Sequence, residues 1–273
     1  MADVNRAVLT AAQIDEAADM LFRAEREAAQ IRATSVLFPD MTMADAYRVQ
    51  EAVVARKTRA GRRVVGHKIG LTSRAMQQAM NIDEPDYGTL LDDMMFENDS
   101  VIEAARFPDP RIEVELAFVL GDRLVGADIG VDEVLAATRY VIPALELIAA
   151  RSHRVDPKTG HTRGVVDTIA DNAASAGVVL GERLDPGAID MRWCGAILTR
   201  NGEVEETGLA AGVLGHPAQG AVWLARRFAA HGIALEPGEI VLTGSFTRPV
   251  AVRRGDDFTA DFGPCGVLAC RFV

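Results

Sequence analysis

The sequence is poor in cysteine, has no excess of positive charge and carries no long hydrophobic run. Its three cysteines, Cys194, Cys265 and Cys270, form neither an even disulfide set nor a metal-ligand spacing. They read as small core residues in a reducing compartment, the cytoplasm. Lysine and arginine number 29 against 39 acidic residues, a formal net charge of −10. A nucleic-acid partner requires a basic face, so none is expected. A small anionic substrate would need a local cation: a metal ion, a lysine or arginines. No stretch approaches the roughly 18 uninterrupted apolar residues of a membrane span. The opening Met1-Ala2-Asp3-Val4-Asn5-Arg6 lacks the basic start and apolar run of a secretory signal, so no membrane partner is expected either. There is no glycine-rich phosphate loop and no nucleophile elbow. His153, His161, His216 and His231 are scattered without ligand spacing and read as structural or surface residues.

Against these absences stands one stretch, Arg111-Ile112-Glu113-Val114-Glu115-Leu116-Ala117-Phe118-Val119-Leu120. Its β-branched, aliphatic and aromatic content predicts a buried strand. Alternation puts Glu113 and Glu115 on one face, with Cα atoms roughly 6.5–7 Å apart, and Val114, Leu116, Phe118 and Leu120 on the other. Two carboxylates on one face of an apolar strand repel each other and resist burial. A hard divalent cation between them removes both problems; an edge strand with two solvated glutamates fits the same residues. A second apolar strand, 141–148, carries Glu146, 31 positions after Glu115. That leaves room for a strand, a helix and a return strand, which can make the two strands neighbours. Three carboxylates and waters would make an oxygen-rich octahedral site, suited to Mg²⁺ or Mn²⁺ rather than zinc. The competing reading pairs Glu146 with a core arginine.

The rest of the chain reads in order. Thr10 and Gln13 form a capping-box spacing ahead of a helix with Ile14, Ala18, Leu21, Ala24 and Ala28 on one face. Thr42 and Asp45 repeat the signal for a helix through Tyr47, Val49 and Val53 to Gly61, and residues 35–40 form the connector, stopped by Pro39. These helices make an N-terminal region, 1–62, that packs on the main domain or on another subunit. From residue 63 short strands dominate, a β-rich domain running to 273. Val64–Gly70 is a strand ending in a glycine turn, with Lys68 near its end. Residues 72–80 are a short helix or turn with Met76 and Met80 inward, and 83–88 a loop holding Asp86. Asp132 caps a short helix through Tyr140. Residues 151–164 form a long polar loop, a usual place for a lid or binding loop. Asn201-Gly202 marks a hairpin, 217–230 a helix, and 249–253, 257–262 and 266–273 the closing strands. The succession predicts an α+β protein with a mixed β-rich roll and a helical N-terminal region.

Lys68 and Asp86 are candidate proton carriers or substrate contacts. An exposed strand-end lysine and an ordinary turn aspartate fit them too. Gly244-Ser245-Phe246-Thr247-Arg248 offers backbone N–H groups, two hydroxyls and a cation, although alone it is a weak turn signal.

The runs Val65-Gly66-His67-Lys68-Ile69-Gly70-Leu71-Thr72-Ser73, Asp83-Glu84-Pro85-Asp86-Tyr87-Gly88, Pro110-Arg111-Ile112-Glu113-Val114-Glu115 and Pro143-Ala144-Leu145-Glu146 together resemble the hydratase/decarboxylase branch of the fumarylacetoacetate hydrolase superfamily. Gly244–Pro249 and the closing Cys270-Arg271-Phe272-Val273 extend the likeness over nearly the whole chain. The resemblance implies Mg²⁺ on Glu113, Glu115 and Glu146, with Mn²⁺ as a substitute, and Lys68 and Asp86 at the reacting end of a 2-oxo acid. It implies a mixed β-roll, a homo-oligomer with a decamer as the candidate number, and hydration of an unsaturated 2-oxo dicarboxylic acid from aromatic meta-cleavage. Decarboxylation of a related 2-oxo acid, hydration of a five-carbon monoacid and a non-catalytic structural role beside a decarboxylase are the rival readings. The His-Glu pair with which the superfamily's C–C hydrolases activate water has no matching segment. A dicarboxylate needs a second cation, for which Arg248 with Ser245 and Thr247 ranks ahead of Arg74, Arg151, Arg154 and Arg163.

Overall fold

A computed structural model describes residues 7–79 and 82–273. Helices α1 (Ala11–Arg26), α2 (Thr34–Leu37) and α3 (Met43–Arg59) precede strand β1 (Val64–Gly70). Helix α4 (Arg74–Ala79) leads to β2 (Asp86–Leu91), β3 (Met95–Glu97), β4 (Ser100–Ile102) and β5 (Arg111–Leu120). Helix α5 (Val131–Ala137) joins β5 to β6 (Thr138–Ile148), and α6 (Val165–Ala170) comes before β7 (Ser175–Leu180). After β8 (Gly195–Arg200) and β9 (Glu203–Leu209) come α7 (Ala218–Ala229), β10 (Ile240–Leu242), β11 (Val250–Ala251), β12 (Asp257–Asp261) and β13 (Val267–Phe272).

One eight-stranded sheet runs β2-β1-β10-β5-β6-β7-β3, with β11 also on β5, and a five-stranded sheet runs β4-β13-β12-β8-β9. Parallel pairs (β1–β10, β3–β7, β4–β13) mix with antiparallel ones, the α+β roll that the strand succession predicts. Strand β5 is central to both halves of the architecture. Its Ile112, Val114, Leu116, Phe118 and Leu120 are buried in one core with Phe258, Phe262 and Phe272 of the second sheet's segment and Leu224 and Phe228 of α7. Its other face is left for Glu113 and Glu115.

The N-terminal helices form as their caps dictate. Thr10–Gln13 and Thr42–Asp45 both make reciprocal capping boxes. The faces of α1 and α3 then close over Ile169 and Ala170 of α6, so these helices pack on the portion that follows them. A buried ionic chain reinforces the joint. Arg151 reaches Glu25 of α1 (3.1 Å) and Asp171 (3.4 Å), and Lys57 of α3 also pairs with Glu25 (2.5 Å). The Asn201-Gly202 hairpin has both residues at positive φ (55° and 84°), the geometry that a two-residue turn between twisted strands requires. All three cysteines are buried and unbridged. Among the described residues no helix is long and apolar enough to cross a membrane.

Several local expectations shift. Ala28 falls beyond the end of α1 at φ 47°, and the 35–40 connector contains most of the short helix α2. Helix α5 stops at Ala137, so Tyr140 belongs to β6. Its β-branched and aromatic neighbours extend the strand backwards. Met76 is 42% exposed rather than inward, while Met80 lies outside the described residues. Asp86-Tyr87-Gly88 is not loop but the start of β2, paired with β1. Pro85 sits just before this strand, where a missing N–H costs no ladder bond.

The close passage of β1 over β10 depends on Gly66. Its φ is +157°, and a Cβ there would stand 1.9 Å from Ile240 O. Gly66→Ala should therefore separate the two strands and destabilise the fold by about 2–4 kcal/mol. Urea unfolding reads this directly, and a wild-type midpoint would refute it.

Candidate metal centre and proton-carrying pair

Glu113 on β5 stands directly opposite Glu146 on β6, so both side chains leave the same face. Glu115, two residues along β5, joins them, and one carboxylate oxygen from each lies within 4.8 Å of the others. Glu115 and Glu146 are each only 1% exposed, which removes the solvated-edge reading. Glu115 Oε2 accepts a hydrogen bond from the Gly244 N–H at 3.0 Å. Its Oε1 and both oxygens of Glu146 have no hydrogen-bond donor among the described residues. Oxygen-only ligands from three carboxylates, two of them with orphaned oxygens, match a hard divalent cation such as Mg²⁺ or Mn²⁺, whereas zinc favours nitrogen and sulfur. The core partner of Glu146 is not an arginine. It is Lys68, whose Nζ lies 3.2 Å from Oε1 but off the hydrogen-bond line.

That contact crosses the sheet. Between β1 and β6 lie β10 and β5, and three strand spacings of about 4.8 Å would put the two backbones roughly 14 Å apart in a flat sheet. The sheet must curl for Lys68 to meet Glu146. Asp86 enters from β2, opposite Gly70 of β1. A Cβ at Gly70 would sit 2.2 Å from Asp86 Oδ1 and 3.6 Å from Lys68 Nζ, so glycine makes the space in which acid and ammonium lean together. Both are buried, and neither oxygen of Asp86 has a hydrogen-bond donor among the described residues. The strand-end and turn readings of Lys68 and Asp86 are thereby displaced. His67 points to the other face, edge-on to Phe228 at 4.9 Å, as strand alternation requires.

Electrostatics follow from burial. Desolvation and the neighbouring Glu146 push the Glu113 carboxyl up to about 7. Burial, with Glu146 and Glu113 nearby, holds Glu115 well above the carboxylate range. Burial also raises Asp86, against the pull of Lys68. For Lys68 burial works the other way, but Glu146, Asp86, Glu113 and Glu115 outweigh it and keep the ammonium charged.

Ser245 and Thr247 lie beside the site with their hydroxyls already engaged. The single Ser245 hydroxyl hydrogen has Thr247 O (2.9 Å) and Val114 O (3.2 Å) as acceptors within reach, while Thr247 Oγ1 accepts from the Val114 N–H (3.1 Å). They clamp the 244–247 turn to β5 and so aim the Gly244 N–H at Glu115. Arg248 turns away: its side chain is 82% exposed and pairs with Glu206 at 2.7 Å. Arg111, two residues before Glu113, lies on the same strand face, a placement that alternation alone makes legible in the sequence.

The raised carboxyls give a pH test. Between about pH 4.5 and about 7 the folded, metal-free protein retains a proton on Glu113 that the unfolded chain has released. The group therefore stabilises the fold as pH falls through about 7, and that contribution is lost as pH rises. Thermal melts in chelator should show wild type losing stability relative to Glu113→Gln from pH 5 to 8. Parallel curves would contradict the raised carboxyl.

The sequence profile described as Fumarylacetoacetate (FAA) hydrolase C-terminal matches residues 48–273. The chain is 55% identical over 257 residues to the 2-oxo-hept-4-ene-1,7-dioate hydratase of Escherichia coli, spanning 94% of this chain and 96% of that one. It is 40% identical over 265 residues to the 2-keto-4-pentenoate hydratase of Paraburkholderia xenovorans, spanning 97% and 96% of the two chains. The fold superposes with a TM-score of 0.93 on a 4-oxalocrotonate decarboxylase from Pseudomonas putida complexed with magnesium and adipate, at 33% identity, covering 98% of this chain and all of that one. The β-roll with its curled sheet, and the profile match that begins inside α3 and continues to the last residue, place this chain in the fumarylacetoacetate hydrolase C-terminal family.

Proposed function

We propose that this protein is a metal-dependent hydratase that adds water to an unsaturated 2-oxo dicarboxylic acid of the 2-oxohept-4-ene-1,7-dioate type, in the breakdown of aromatic meta-cleavage products. The observation that carries the reading is the meeting of Lys68, Asp86 and three glutamates, two of them buried, on one face of the curled sheet, in a chain 55% identical to a hydratase of that substrate. Glu113, Glu115 and Glu146 would hold the ion, Mg²⁺ or in its place Mn²⁺. When bound, the ion supplies Lewis acidity toward the oxygens of a 2-oxo acid.

The chain's own residues do the rest. Burial raises the Asp86 carboxyl, which suits it to give a proton to the substrate carbon. Its carboxylate then takes the proton that the attacking water releases, so that H and OH are both added and Asp86 returns to its starting state. Lys68 stays charged between Glu146 and Asp86, so its Nζ can donate to a substrate carboxylate or enolic oxygen and follow the proton's movement. The Gly244 N–H fixes one oxygen of Glu115 and leaves the other without a donor, available to an ion. Residues 1–62 are proposed as a helical region packed on a catalytic domain of residues 63–273. A homo-oligomer, with a decamer as the candidate number, is supported by the apolar residues Val101, Ile197, Val204 and Val267 exposed on strands of the second sheet. Three buried free thiols fit a reducing cytoplasm.

Purified protein with Mg²⁺ should consume the 2-hydroxydienoate form of the seven-carbon diacid, followed by loss of its ultraviolet absorbance, without releasing CO₂. Release of CO₂ from 4-oxalocrotonate at a faster rate would replace the hydratase reading with a decarboxylase one. Glu113→Gln, Glu115→Gln and Glu146→Gln should each weaken Mg²⁺ binding by roughly tenfold to a hundredfold while the circular dichroism spectrum persists. Undiminished binding in all three by calorimetry would remove the metal from these residues. Lys68→Met should lower kcat by about 10²–10⁴-fold and keep Mg²⁺ bound, since its part is toward the substrate; a wild-type kcat would return it to a structural role.

A further inference from the structure

A dicarboxylate would need a second cation, and Arg248, exposed and paired with Glu206, is turned away from the glutamates. Arg74 is exposed, and Arg154 is committed to Asp109. Arg151 is spent on Ala149 O, Ser175 O, Glu25 and Asp171. Two guanidiniums remain. Arg111 begins β5 on the face that carries Glu113 and Glu115, and its Nε is buried without an acceptor. Arg163 closes the 151–164 loop. Its side chain is 9% exposed, and its one ionic contact among the described residues is Asp171, 3.7 Å from Nη1 and already engaged by Arg151. Arg111 Nε and Arg163 Nη1 are buried nitrogens with no hydrogen-bond acceptor among the described residues.

We infer that Arg111 and Arg163 form the subsite for the second carboxylate of a dicarboxylate substrate, at the end remote from Glu113, Glu115 and Glu146. The inference rests on the proposed 2-oxo acid activity of the same cavity and names what that activity selects. A buried guanidinium whose donors lack acceptors is costly, and a carboxylate is the planar acceptor that fits its fork. Asp171, the ionic partner of Arg163, is shared with Arg151 and lies 3.7 Å from Arg163 Nη1, beyond hydrogen-bond distance, so that nitrogen still lacks the acceptor that a ligand carboxylate would supply. Reach agrees. A seven-carbon chain has six C–C bonds of about 1.5 Å and spans roughly 7–8 Å. One i to i+2 step along β5, from Glu113 back to Arg111, covers roughly 6.5–7 Å. Register brings the two arginines to one region: Arg111 stands opposite Ile148 at the end of β6, three residues before Arg151, whose N–H bonds at 2.8 Å the same Asp171 carboxylate that Arg163 meets. The next residue, Asn172, bonds the Thr89 N–H and carbonyl (2.8 Å each) on β2, the strand that carries Asp86. The loop is braced for the task by the Arg163 N–H to Arg154 O bond (2.8 Å), the Val155–Thr162 bridge and the Arg32–Asp156 pair (2.6 Å). The subsite is thus preformed.

The test compares Arg111→Gln and Arg163→Gln with wild type on the seven-carbon diacid and on 2-hydroxypenta-2,4-dienoate, with Mg²⁺ present. The ratio of kcat/KM values, diacid over monoacid, should fall roughly ten- to a hundredfold in each variant, mainly through KM for the diacid. An unchanged ratio overturns the inference while leaving the hydratase reading intact. Calorimetry with heptanedioate and pentanoate reads the same subsite without turnover. Wild type should favour heptanedioate, and Arg163→Lys, which keeps charge but not the fork, should retain part of that preference. Should wild type turn over neither dienoate, the hydratase reading falls and calorimetry alone judges the arginines: equal binding of the two saturated acids overturns them. Variants that fail to match the wild-type melting curve are replaced by Arg111→Lys and Arg163→Lys, with the same two outcomes.

Discussion

Four carboxyl groups, three of them buried, meet one buried ammonium in this protein, and the arrangement around them answers to that imbalance. Glu113, Glu115, Glu146 and Asp86 share a curled sheet with Lys68 as the cation in contact. Removing ionised groups from water costs several kcal/mol each unless opposite charge or hydrogen bonds replace the lost solvation. One lysine cannot balance four acids, so the site either retains protons or takes a cation. The raised carboxyls of Glu113, Glu115 and Asp86 are the proton-retaining side of that choice. A divalent ion would be the other, and metal binding of this kind releases protons.

The fold supplies the rigidity that keeps such a cluster from relaxing. The apolar face of β5 is locked by aromatic residues of the second sheet and by α7, so the opposite face cannot turn its glutamates outward. Glycines open space where other atoms must approach closely, among them Gly66 over Ile240 and Gly70 beneath Asp86. The 244–247 turn, pinned to Val114 from both sides, delivers one N–H to Glu115. The N-terminal helices are held through Glu25, Arg151 and Asp171, a buried ionic chain that also anchors the start of the 151–164 loop. Packing of the helices and placement of the loop are therefore one problem solved by one set of charges.

Asp86 illustrates where local reading misleads. Pro85 and Gly88 mark a loop by composition, yet Gly88 is needed because β2 passes so close to Asn172 O that a Cβ would stand 2.5 Å away. The residue served a tertiary contact, not a turn. Arg248 shows the reverse error. Its neighbours offer donors in sequence, but those hydroxyls are consumed by β5, and Pro249 and the exposed position direct the arginine to Glu206.

Residue order alone determined what depends on near neighbours. The alternation in 111–120 sorted two glutamates from four apolar side chains, the capping boxes started α1 and α3, and Asn201-Gly202 set a hairpin. Each is decided within a few residues by steric preference, side-chain periodicity or a local hydrogen bond. The tertiary structure alone decided that Lys68 reaches Glu146 across two intervening strands, that Asp86 settles against Gly70, and that Arg111 and Arg163, rather than Arg248, have buried donors to spare. Those outcomes follow from the curl of the sheet and the burial it imposes, and both arise from packing between segments far apart in the chain.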